Sequence, residues 1–450
     1  MTGVTVSEAA EMAGGELHGQ GGAAVTGAVI DSREVFPGCL FAAMPGAKAD
    51  GHEFISAAFD MGAACCLALR VPEGETRPVI VVGDVAAALT RLAAAYRQRL
   101  SIPIIGVAGS VGKTTAKEMT ALVLSKRFSV LKTEKNFNNE LGVPMTLCRI
   151  DGSHQAAVVE MGISDFGEMA RLGRLVRPTM AIYTIIGHSH LEKLHDRAGV
   201  FRAKTEMLDF LPENGTVFVN GDDDLLSAME CRQKKVLFGL GENNDVRAVD
   251  VETDAESSSC VIVRGARRIS VRIPAYGRHM VYAALAGAAV GMELGLSDGE
   301  IAAGIADYKP VGRRAVIEDT GFVTLIDDCY NANPDSVRCA VDSMAEISGR
   351  RVCVLGDMLE LGEETEKLHL ETGEYAARHG AELVLTAGEL GEFISRGAES
   401  AGCAARHFAD TDALIAALPE LLRRGDAVLV KASHGMRFER VSEAVKELKN

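Results

Sequence analysis

The stretch "IPIIGVAGSVGKTTAKEM", residues 102 to 119, decides the fold of this chain. An apolar strand runs into Gly109, Ser110, Val111 and Gly112, and Lys113, Thr114 and Thr115 then open a helix. Glycines let backbone N–H groups turn inward on an anion, and the helix N-terminus adds partial positive charge. In such a loop Lys113 reaches the terminal phosphates and the Thr114 hydroxyl is placed to ligate Mg²⁺. The spacing departs from the common G-x-x-x-x-G-K at one point, where Val107 replaces the first glycine. Strand, loop and helix in that order still predict a nucleoside triphosphate site.

Outward from this loop the chain divides into three blocks. Residues 1–98 hold short strands and helices and end in the Ala-rich helix "DVAAALTRLAAAYRQRL". Residues 99–312 repeat strand–helix units such as "QAAVVEMG" and "TMAIYTIIG", then alternate as a β-hairpin near 245–275 before a buried helix near 280–295. Residues 313–450 alternate strand and helix cleanly, through "FVTLID", "RVCVLG", "ELVLTAG" and "DAVLVKAS". Apolar strands separated by helices imply a mainly parallel sheet covered on both faces. The class is therefore α/β with three domains, the last of them small and Rossmann-like.

Composition narrows the function. With 47% apolar and 24% charged residues the chain reads as soluble and globular. Its formal net charge of −15 excludes a basic surface for nucleic acid. No basic patch leads into an apolar run at the start, and "YAALAGAAVGMELGL" is too short and too interrupted for a membrane span. The ten cysteines form no C-x-x-C pair, which fits reduced thiols in a cytosol.

Two further residues lie at or beyond strand carboxyl ends of the central block, where open α/β sheets bind their ligands. Glu160 closes "AAVVE" and His190 lies in "IIGHSHLE". A carboxylate and an imidazole there are candidate metal-organising groups, although each alone reads more simply as a loop residue. Lys204, on a helix in "FRAKTEM", reads by itself as a surface lysine.

The strings "GSVGKTT", "NFNNELGVP", "EMG", "HLE" and "AKTE" occur in an order that resembles the ATP-dependent Mur ligases of peptidoglycan synthesis. "DDCYNANPDS" and "LGDMLELG" resemble, within that family, the member joining D-alanyl-D-alanine to UDP-N-acetylmuramoyl-tripeptide. "DSREVFPGCLFAAMPGAKADGHEFISAAFDMGA" is similar to a UDP-binding domain of the same pathway. The resemblance implies a UDP-sugar domain over 1–98, an ATPase over 99–312 and a C-terminal dipeptide- and nucleotide-binding domain over 313–450. It implies ATP, two Mg²⁺ ions and a CO₂-derived carbamate on Lys204. It also implies a cytoplasmic monomer without membrane insertion.

By the same resemblance Ser32 and Arg33 meet the uridine diphosphate, and Asn138 and Asn139 lie along the muramoyl peptide. Tyr330, Asn331 and Asn333 approach the dipeptide, while Arg313 and Asp328 approach the nucleotide. Thr114, Glu160, His190 and modified Lys204 surround the metal, and Lys113, Glu160, His190 and Lys204 form the catalytic set. The chain departs from the family at Met280 and Ala283, where asparagines are usual, at Ile185, and at His434 in place of a basic residue. The implied chemistry is activation of a carboxylate as an acyl phosphate, followed by amine attack inside a site that shuts by a hinge near 309–314. The neighbouring ligase that adds the third amino acid, a folate-polyglutamate ligase and a nucleotide-gated switch remain as rival readings.

Overall fold

The computed structural model describes residues 1–46 and 49–449. Residues 47 and 48, within the expected UDP-binding string, lie outside the described set. Three sheets organise the chain, of five, nine and six strands.

The nine-stranded sheet positions the site. In space it runs Arg267–Ile273, Ser258–Arg264, Val246–Thr253, Lys234–Gly239, Thr216–Asn220, Met180–Tyr183, Ile104–Ala108, Ala156–Glu160, Val130–Lys132. The strands Ile104–Ala108, Ala156–Glu160 and Thr216–Asn220 are buried along their whole length. That explains their continuous apolar runs, because both sheet faces carry helices. The expected hairpin is present as Ser258–Arg264 against Arg267–Ile273, and Val246–Thr253 extends it to a three-stranded antiparallel meander. The buried helix is His279–Glu293, packed on the helix Lys113–Leu124 that follows the phosphate loop.

In the last sheet the order is Val316–Asp319, Thr324–Asp327, Ala427–Lys431, Arg351–Gly356, Leu383–Ala387, Ala404–Phe408. It is parallel from the second strand onward, while Val316–Asp319 adds an antiparallel edge. The sequence reading did not include that edge strand, since its half-exposed residues carry no apolar alternation. Among the described residues no helix is long and apolar enough to cross a membrane. All ten cysteines are free.

The first sheet is fastened to the second by the helix Val85–Arg97, which Asp84 caps by accepting from the Ala87 N–H at 3.0 Å. The Tyr96 hydroxyl donates to Ile150 O at 2.6 Å and accepts from Thr2 N at 3.0 Å. Arg97, only 7% exposed, donates to Val176 O at 2.6 Å, Arg177 O at 2.8 Å and Leu100 O at 2.9 Å. Its guanidinium thus satisfies carbonyls at the C-terminus of the helix Glu168–Val176, where they have no partner within the helix.

Truncating this group leaves buried carbonyls unpaired. Arg97→Ala is expected to lower stability by about 2–4 kcal/mol, read from urea unfolding.

Candidate active site

The strand Ile104–Ala108 pairs with Ala156–Glu160 on one side and Met180–Tyr183 on the other. Strand order reverses at this point, and the phosphate loop leaves the sheet there. Gly109 has φ +148, and a Cβ on it would stand 2.0 Å from Thr184 Oγ1. Only glycine fits there, because the Thr184 hydroxyl must pass close to donate to Val111 O at 2.6 Å and brace the loop. Gly112 is the N-cap of the helix Lys113–Leu124. The Ser110 hydroxyl donates to Gly187 O at 3.2 Å and meets Ser189 Oγ at 3.0 Å.

Lys113 Nζ curls back to donate to Gly109 O at 2.8 Å. Burial lowers its pKa, opposed by the charge of Glu160. Thr114 is buried at the base of the loop and Thr115 lies beside it. A cleft of about 380 Å³ opens above these residues and is lined in addition by Asn138, Asn139, Glu160 and His190. From the C-terminal side Asp328, Tyr330, Asn331 and Asn333 line the same cleft. Residues separated by more than two hundred positions are thus brought to one place. A second cavity of about 780 Å³ adjoins it, between Thr115, Phe238, Arg278 and Tyr282 of the central domain and the helix Pro334–Ser343 of the last. Ala283 lines this larger cavity, while Met280 lines the cleft.

Glu160 is 3% exposed and its Oε1 accepts from Asn138 Nδ2 at 2.8 Å. Oε2 has no hydrogen-bond partner and lies 3.7 Å from Lys117 Nζ. Lys117, itself 1% exposed, donates to Thr133 O at 2.7 Å and pairs with Glu118 at 3.1 Å. An orphaned carboxylate oxygen at the wall of the cleft, which Thr114 also lines, suits a hard cation that takes oxygen ligands. Among the described residues no group of three or more His, Cys, Asp or Glu is arranged to hold a metal. Such a cation must therefore complete its shell with phosphate and water, as Mg²⁺ does.

His190 adopts a left-handed backbone, φ 55, and its Nδ1 meets the Glu360 carboxylate of the C-terminal domain. Burial, followed by the Lys204 charge, lowers its pKa. Lys204 lies on the helix Arg197–Thr205 and is 1% exposed, so the surface-lysine reading fails. Burial, followed by the charge of Lys113, holds its pKa well below the usual lysine range.

Several expected residues stand elsewhere or do other work. Arg313 does not line the cleft: it pairs with Asp327 at 2.8 Å and Glu443 at 2.5 Å. Arg314 lines the cleft instead, its guanidinium 3.9 Å from the Tyr330 ring centroid. Two adjacent arginines in a connector give no periodicity from which to choose. Asp328 is paired with Lys431 at 2.5 Å, a lysine the sequence reading omitted. Asn333 caps its helix by accepting from Ser336 N at 2.8 Å, and Asn139 accepts from Gly142 N at 2.9 Å. Tyr330 packs near His434, with ring centroids 5.6 Å apart. Lys117 was legible in principle, since it sits one helical turn after Lys113.

Ser32 and Arg33 form a short turn away from the cleft. Arg33 grips Asp31, with Nη2 at 2.6 Å and Nε at 2.9 Å, and holds that carboxyl down at about 2. Its side chain is 87% exposed. The adjoining Glu34 pairs with Lys135, which ties this turn to the start of the loop that carries Asn138 and Asn139.

Comparison with known proteins matches three family models. These are the Mur ligase family catalytic domain over residues 24–97, the Mur ligase middle domain over 107–291, and the Mur ligase glutamate ligase domain over 312–434. The chain is 37% identical to UDP-N-acetylmuramoyl-tripeptide–D-alanyl-D-alanine ligase of Bacillus subtilis, covering 99% of this chain and 98% of that one. Identity is also 37% to the protein of the same name from Escherichia coli, over 99% of both chains. A crystal structure of MurF from Acinetobacter baumannii superposes with TM-score 0.89 at 28% identity over 99% of both chains. MurF ligase from Thermotoga maritima in complex with ADP superposes at 0.81 with 27% identity, over 94% of this chain and 97% of that one.

Gly109→Ala must displace Thr184 and strain the loop by roughly 1–3 kcal/mol, so nucleotide affinity is expected to fall about tenfold or more in calorimetric titration.

Proposed function

This chain belongs to the Mur ligase family, and from that premise we propose how its cleft carries out the ligation. It is an ATP-dependent ligase that joins D-alanyl-D-alanine to UDP-N-acetylmuramoyl-tripeptide, giving the pentapeptide, ADP and phosphate. The observation that carries the site assignment is the orphaned Glu160 oxygen at the cleft wall that Lys113 also lines.

A carboxylate resists amine attack because oxide is a poor leaving group. Transfer of the γ-phosphoryl group to the tripeptide's terminal carboxylate gives an acyl phosphate, whose phosphate can leave. Lys113 and the loop amides stabilise charge on the transferring group, and their contribution is mainly position and electrostatics. Glu160 and the Thr114 hydroxyl would hold Mg²⁺, which supplies charge neutralisation at the phosphates. The free amine of the dipeptide then attacks the acyl carbon and phosphate departs. The larger cavity, with Tyr282, Phe238 and Arg278, suits the nucleoside. Tyr330, Asn331 and Arg314 present the dipeptide from the C-terminal side, while Ser32 and Arg33 meet the uridine diphosphate.

Lys204 is assigned to carbamylation. A buried lysine without an ion-pair partner among the described residues has its charge disfavoured, which favours the neutral amine that adds CO₂ with loss of a proton. The carbamate anion then answers the charge of Lys113. The reading also carries a monomer acting in the cytoplasm.

ADP release is expected only when both UDP-MurNAc-tripeptide and D-alanyl-D-alanine are present, with mass spectrometry showing one new amide per ADP. Lys113→Ala should abolish both. Release with either substrate alone would favour a nucleotide-driven switch. ¹³C-bicarbonate should give a carbamate NMR signal that disappears in Lys204→Arg; an unchanged signal would remove Lys204 from this role.

A further inference from the structure

The loop 185–190 is bound from two sides. On the central side, Ser110 of the phosphate loop donates from its backbone to Ile185 O at 2.7 Å and from its hydroxyl to Gly187 O at 3.2 Å. Asp223 accepts from Ile186 N at 2.8 Å and holds the loop to the sheet. On the other side stands Asp335, in the first turn of the C-terminal domain's helix Pro334–Ser343. Its Oδ2 accepts from His188 N at 2.6 Å and lies 3.1 Å from the His188 ring nitrogen Nδ1.

Gly187 makes this approach possible. A Cβ at Gly187 would lie 2.3 Å from Asp335 Oδ2 and 2.7 Å from its Cγ. The backbone of Gly187 is not left-handed, so alanine would be tolerated there whenever Asp335 is withdrawn. The glycine is required by the seated position of the C-terminal domain, not by the local chain.

We propose that Asp335 is a positioning residue that latches the C-terminal domain onto the loop bracing Ser110, so that domain seating and phosphate-loop geometry are set together. The contacts of Glu360 with His190 and with the Glu192 N–H are further points of the same seam, while Asp335 meets His188, next to the Gly187 carbonyl that Ser110 touches. Charge-assisted acceptance of a backbone N–H is among the stronger hydrogen bonds, and it forms only when the domain is home. The consequence for chemistry rests on the ligation described above. An unseated domain leaves the acyl phosphate open to water, which replaces the amine at the acyl carbon, expels phosphate and regenerates the carboxylate.

The test compares the parent protein with Asp335→Ala, Asp335→Asn and Gly187→Ala. The parent is expected to release one ADP per amide formed. Asp335→Ala and Gly187→Ala are expected to release about threefold or more ADP per amide, with KM for D-alanyl-D-alanine raised about tenfold. Asp335→Asn, which keeps an oxygen for the His188 N–H, should fall between. A merely structural lesion lowers both yields together and leaves their ratio at one. Ratios near one and unchanged KM in both Asp335→Ala and Gly187→Ala would overturn the latch. If Asp335→Ala fails to fold, Gly187→Ala decides alone, since its backbone accepts alanine. If the parent forms no amide, the ligation reading fails, and small-angle scattering with ADP and Mg²⁺ decides the latch. Gly187→Ala should then be more extended than the parent, and equal radii would overturn it.

Discussion

Buried positive charge is the constraint on which this site depends. Lys117 and Lys204 are buried and Lys113 is half-buried within one domain, and each must be answered or neutralised. Lys117 is answered by Glu118 and loosely by Glu160. Lys113 has only loop carbonyls for hydrogen bonds, which is how an anion-binding group rests before its anion arrives. Lys204 makes no ion pair among the described residues, and burial, then the charge of Lys113, disfavours its own charge. On the function proposed above, a triphosphate over Lys113, a divalent cation at Glu160 and an anion built on Lys204 would together close this balance.

The sheet makes such a concentration of charge possible. Buried strands on either side of Ile104–Ala108, with only Met180 half-buried, form a rigid floor, and Glu160 and Thr184 stand at or just beyond their ends. Helix His279–Glu293, lined with alanine and glycine, packs closely enough on Lys113–Leu124 to set the helix that carries the phosphate loop. Sites built on such elements hold reacting groups more tightly than loops can.

The three domains are joined in different ways. The first is fixed to the second through Arg97 and Tyr96, whose buried hydrogen bonds reach main-chain carbonyls. The third meets the second through side chains at the cleft rim, His188 with Asp335 and His190 with Glu360. Between them the connector before Val316 includes Ala315 at φ +52, a strained position for alanine. Rigid coupling on one side and a polar, breakable seam on the other suit an enzyme that holds one long substrate and closes on a second.

Much of this was legible from residue order. The phosphate loop, the strand end at Glu160, the loop that carries His190, and the parallel sheets follow from apolar runs and glycine placement, because those patterns are local and period-bound. The resemblance drew in Tyr330 and Asn331, which do line the cleft. What the order of residues could not decide was which way neighbouring side chains point and what they meet across the chain. Arg313 and Arg314 are equivalent in sequence, yet one is consumed by Asp327 and Glu443 while the other faces the cleft. Lys204 by itself looked like surface until packing removed its water, and nothing in the order of residues singled out Asp335, which meets His188 only across the domains. Direction and burial arise from contacts between segments far apart in the chain, and these exist only once the whole has folded.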